Sequence, residues 1–102
     1  MDFTELIDRC ALYYGEMDIA NLIIMIYKDN IPKGKDLYIK LNDEVPRYFM
    51  NRSSYWNQQS ILHPDDEKSC QTKSKACLEI AMKFKQSKFK KKIMTEIEYL
   101  IK

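Results

Sequence analysis

A chain of 102 residues, 45% apolar and 12% aromatic with two glycines and three prolines, can build one core and has no low-complexity or linker bias. Its net charge of +2 hides a split: residues 1–67 carry 7 Lys/Arg against 12 Asp/Glu, and residues 68–102 carry 10 Lys against 3 Glu. That split excludes a wholly acidic nucleic-acid mimic and directs any polyanion contact to the C-terminal third.

The start Met-Asp-Phe-Thr-Glu is acidic and precedes no long apolar run, so neither a signal peptide nor a membrane span is expected. The chain reads as a single domain over 1–102, placed in the cytoplasm of the producing or infected cell. Asp2 is the expected N-cap of a first helix, with Glu5 completing a capping box and Met1 stapling onto Leu6. Phe3, Leu6, Ile7, Cys10, Ala11 and Tyr14 then form one apolar stripe that stops at Gly15. Asp18 is the expected cap of the next helix, and Met17 with Leu22 repeats the staple, giving a tight helical pair.

Within Ile19–Tyr27 only Asn21 is polar, so its apolar groups point in every direction, as in a helix covered on most sides. It is too short to span a bilayer, which takes about 20 apolar residues. The pair loosely resembles the first two helices of a helix-turn-helix. A recognition helix needs polar side chains facing the groove, however, and this one offers Asn21 alone before Lys28. A structural hairpin is therefore expected.

Ile31-Pro32-Lys33-Gly34 is a turn. Leu37, Ile39 and Leu41 alternate with Tyr38 and Lys40 as a short strand would, but no nearby run could pair with it. Helix, with Asp36 capping a turn, or irregular structure is the expectation. Asn42, Asp43 and Glu44 mark another helix start, with Pro46 in its first turn.

Val45–Trp56 is the densest aromatic and arginine stretch. On a helix Arg52 lies beside Tyr48, Tyr55 and Trp56, within cation–π reach. Because Tyr, Trp and Arg dominate binding hot spots, Arg47, Tyr48, Arg52, Tyr55 and Trp56 form the candidate partner-binding group. The alternative use of Tyr48, Phe49 and Trp56 is to roof the Ile19–Tyr27 helix.

His63-Pro64-Asp65-Asp66-Glu67 opens the last helical region, with proline and acids as a helix start requires. Capping explains these residues better than metal ligation does. Cys70 and Cys77 fall on one helical face about 10.5 Å apart, too far for a disulfide, and three cysteines fit reduced thiols. No metal site and no cofactor are expected.

Cys77, Ile80, Ala81 and Phe84 form one apolar set, and Phe89, Ile93, Ile97 and Leu100 a second, turned from it by more than a third of a circle. Either Lys85–Lys88 contains a break, or one long helix shows two faces. The second set lacks obvious cover, which predicts self-association, a homodimer, through Phe89, Ile93, Ile97 and Leu100.

Lys83, Lys85, Lys88, Lys90, Lys91 and Lys92 are six lysines in ten residues. Lysine holds phosphates without reading bases, and it also fills solvated helix faces in AT-rich genes. Gly15 and Gly34 stand alone, and zinc-protease, paired-cysteine and nucleophile-elbow motifs are absent. No enzyme is expected.

The sequence thus predicts an all-α domain of four to five helices around a central apolar helix, with a basic C-terminal helix or arm. Its expected role is that of a non-enzymatic phage- or virus-type accessory protein that binds and inhibits or adapts a host macromolecular complex. The alternative is sequence-independent nucleic-acid binding by the Lys83–Lys92 helix. No membrane partner is expected.

Overall fold

The computed structural model describes residues 2–13 and 15–102. The expected Met1 staple and the place of Tyr14 in the first stripe lie outside them. Among the described residues the regular structure is helical throughout: α1 (Phe3–Leu12), α2 (Glu16–Tyr27), α3 (Gly34–Asn42), α4 (Glu44–Leu62), a 3₁₀ turn (Pro64–Asp66), α5 (Glu67–Lys83) and α6 (Ser87–Leu100). No helix among these residues is long and apolar enough to cross a membrane.

The Asp2 carboxylate accepts the Glu5 N–H at 3.1 Å, as the capping pattern requires. The second helix begins earlier than expected. Gly15 is its N-cap, so Asp18 lies inside the first turn and Met17 projects into solvent, leaving the expected Met17–Leu22 staple unmade. A Cβ on Gly15 would sit 2.9 Å from the Asp18 carboxylate, which would have to turn aside to admit a larger residue.

The segment that could have been a strand is α3. Gly34 supplies a left-handed φ of 57° at its start, and Lys33, not Asp36, is the N-cap. α3 ends at Asn42 because Pro46 has no N–H to offer that carbonyl. Asp43 alone separates α3 from α4.

The largest interface is the antiparallel α4–α5 hairpin, folded back at His63–Asp66. α1 packs across α5 and α4, α2 lies along α6, and α3 bridges α4 and α6. α1 and α2 thus pack mainly on other helices and touch each other over a shorter stretch, not as a tight pair. Ile19, Ala20, Leu22 and Ile23 of α2 are buried, while Met25 near its far end is about half exposed.

The core joins these residues to Leu37, Leu41, Val45, Phe49, Cys77, Phe84 and Ile93. The outer end of the hairpin is covered by little besides its own two helices. Ile61 and Leu62 are exposed there, and the molecule measures 45 × 27 × 19 Å.

Candidate functional site

The two candidate binding groups meet different fates. In the aromatic–arginine group, Arg52 is turned inward onto Asp8 of α1. Its Nε donates to Asp8 Oδ1 at 3.1 Å and its Nη2 to Oδ2 at 2.7 Å, a bidentate pair with side chains only 15% and 12% exposed. Trp56 Nε1 donates to the same Oδ1 at 2.9 Å, and the Cys77 thiol lies 4.0 Å from it.

The guanidinium stacks over Tyr55 at 4.4 Å and Trp56 at 5.2 Å, and Lys73 covers the Trp56 ring at 4.2 Å. Arg52 is therefore held firmly protonated, chiefly by its hydrogen bonds to Asp8. Burial, with Asp8 nearby, pushes the Cys77 thiol up to about 12. Burial, with Asp18 nearby, raises Cys10 to about 11. Cys10, Cys70 and Cys77 are all free and buried, which suits structural thiols.

The remaining members of the group are dispersed. Tyr48 packs edge-on against Phe3 at 5.6 Å, and Arg47 pairs in solvent with Asp43 at 2.8 Å. Trp56 does pack against the body, yet its anchor is the Asp8 node. Arg52 and Trp56 act here as a clamp that fastens α1 to α4 and α5. The stacking was legible from spacing; Asp8 was missed because nothing in its own helix distinguishes it from a solvated acid.

The lysines are sorted by the chain break. α5 stops at Lys83, and Lys85 N–H and Gln86 N–H close a tight turn onto Met82 and Lys83 carbonyls at 3.1 and 2.9 Å. This elbow lets both apolar sets face one core: Phe84 and Phe89 meet edge-on at 5.0 Å across it. Phe89, Ile93 and Ile97 are buried under α2 and α3, and Leu100 packs beside them. The uncovered face that predicted self-association does not exist, because the bend lets the chain cover it.

Lys90 departs from the expected site. It falls on the inward side of α6, 4% exposed, with its Nζ 2.9 Å from Asn42 Oδ1 and 4.6 Å from the Tyr38 ring. It cannot reach a partner in this conformation. Lys85, Lys88, Lys91 and Lys92 are exposed, and Lys83 is half-buried with its Nζ 5.9 Å from the Phe89 ring.

Lys83, Lys88 and Lys92 border one shallow concavity of about 290 Å³ with Gln86, Phe89 and, from the start of α2, Glu16. Lys92 Nζ lies 3.7 Å from Glu16 Oε1. Glu16 was invisible as a member of this group in the sequence, since only the packing of α2 on α6 brings it there.

Among the described residues no three His, Cys, Asp or Glu side chains are grouped as a metal would require. Compared with protein-family models, curated proteins and solved structures, the chain matches none.

Proposed function

We propose that this chain is a non-enzymatic binding protein that holds nucleic acid by its phosphates, independently of base sequence, through the lysines of the α5–α6 elbow. The observation that supports this reading is the elbow itself: Lys83, Lys88 and Lys92 around one concavity, with Lys85 and Lys91 exposed on the same short segment. Ammonium groups on flexible stems match phosphate oxygens without the fixed fork that base reading exploits.

The acids Asp65, Asp66 and Glu67 sit at the other end of α5, about 25 Å away at 1.5 Å per residue. The aromatic–arginine group supplies less to this reading, because its Arg52 and Trp56 are already engaged by Asp8.

The test is fluorescence anisotropy with a labelled short duplex. Combined Lys85→Glu, Lys88→Glu, Lys91→Glu and Lys92→Glu changes should abolish binding at about 50 mM salt. The far-UV helical signal should persist, because all four side chains are exposed. Lys90 stays unchanged, since an acid there would be buried. Binding by the fourfold variant equal to that of the unaltered protein would overturn the reading.

A second reading, a cytoplasmic phage- or virus-type protein that inhibits or adapts a host complex by protein contact, draws on a different surface. Ser53 Oγ and Ser74 Oγ meet at 3.1 Å across the hairpin. Met50, three residues before Ser53, and Leu78, four after Ser74, fall on that same flank, with Met82 one turn beyond. All three are about half exposed. Capture of one protein from nuclease-treated host lysate, lost on Met50→Asp with Leu78→Asp, would favour this reading over the first.

A further inference from the structure

Glu16 is the acid in the elbow concavity, and nothing in the nucleic-acid reading uses it. We infer that Glu16 is a built-in competitor for phosphate: its carboxylate holds part of the lysine concavity in the free protein and yields Lys92 when a phosphate group enters. This inference rests on the elbow being a phosphate site.

Three observations carry it. The first is placement: Glu16 opens α2, and the packing of α2 along α6 brings its carboxylate among Lys83, Lys88 and Lys92. The second is chemistry. A carboxylate and a phosphate present the same kind of anionic oxygen to an ammonium group, so the two exclude each other at Lys92.

The third is weakness. At 3.7 Å the Lys92–Glu16 contact is longer than a charge-assisted hydrogen bond, and its side chains are 54% and 35% exposed. Such solvent-screened pairs exchange readily with water and ions. At Lys92, then, the carboxylate is displaceable, and its presence there lowers the affinity of the elbow below what its lysines alone would give.

A purely structural role for Glu16 makes a different prediction. An acid in the first turn of α2 complements the helix dipole, and losing it would lower stability without altering how many counterions binding releases. The salt dependence of binding separates the two roles.

The experiment measures anisotropy of a labelled short duplex over a salt series for the unaltered protein, Glu16→Gln, and the charge-matched control Asp65→Asn at the hairpin tip. The expected result is several-fold tighter binding by Glu16→Gln, with a steeper log K against log salt slope, because in the unaltered protein the displaced Glu16 carboxylate draws back a cation on binding and glutamine does not. Asp65→Asn should leave both quantities nearly unchanged.

If Glu16→Gln matches Asp65→Asn while the fourfold lysine variant still loses binding, the competitor role is overturned and the phosphate-binding reading stands. If neither the unaltered protein nor Glu16→Gln binds, both fall. A Glu16→Gln protein whose melting temperature drops while its salt slope stays fixed also overturns the competitor role.

Discussion

Asp8 is the residue on which the attachment of α1 depends. Its carboxylate accepts two bonds from Arg52 and one from Trp56, with the Cys77 thiol alongside. Removing the acid leaves a guanidinium and an indole N–H with little water to replace it, the costly case of a half-removed ion pair. Asp8→Ala should therefore lower unfolding free energy by about 3 kcal/mol or more. Urea titration followed by circular dichroism measures this, and Trp56, the single tryptophan, reports the same node through its emission. A loss within the ±0.5 kcal/mol typical of surface substitutions would contradict the clamp.

At this scale the sequence conveyed half of the picture. Spacing places Arg52 against Tyr55 and Trp56, as found, because neighbours on one helix face are fixed by helical geometry. It could not reveal that Asp8 is their partner, since that contact joins helices far apart in the chain. The same blindness explains Lys90. Five of the six lysines retain solvent contact, and the sixth is carried inward by its position next to Phe89 and Ile93 on the packed side of α6.

Among the helices, the legible features were those written as local pattern. The Asp2 cap, the all-helical character and the Pro64 start follow from capping residues and apolar periodicity. The phase of the apolar positions left a break within Lys85–Lys88 and one long two-faced helix both open, and the chain bends at Phe84–Gln86. The elbow contains neither glycine nor proline, so only the phase shift announced it. The early start of α2 was hidden because Asp18 is a good cap residue, whereas the actual N-cap, Gly15, makes no side-chain cap hydrogen bond that a sequence pattern could announce.

The end of α2 carries strain. Lys28 has φ 44° and ψ −106°, and Asn30 N–H reaches the Tyr27 carbonyl at 2.9 Å, a turn that favours glycine at the Lys28 position. Lys28→Gly should raise stability by about 1 kcal/mol, since relief of the positive φ outweighs the added freedom of glycine in the unfolded chain. Thermal unfolding checks it, and a lower midpoint for the glycine variant would contradict the assigned turn.

Across the whole molecule, α5 separates two ends of opposite character. The hairpin tip carries Asp65, Asp66 and Glu67 with exposed Ile61 and Leu62, and the elbow carries Lys83, Lys85, Lys88, Lys91 and Lys92, with Lys68 and Lys75 exposed along α5 between them. The charge split between the two parts of the sequence foretold this polarity, because it needs only composition. It could not foretell that α6 would find its cover within the chain, nor that Glu16 would enter the basic end, because both depend on how the bend at Phe84–Gln86 lays α6 along α2.

The central claim is that phosphate backbones engage this molecule at the elbow and nowhere else. Amide chemical-shift mapping by NMR, titrating the labelled protein with a short duplex of arbitrary sequence, tests it most directly. The account predicts shifts confined to residues 83–92 and the start of α2 around Glu16, reversed by added salt, with residues 57–72 of the hairpin tip unmoved. Shifts centred on Met50, Leu78 and Met82, or no shifts at low salt, would contradict it.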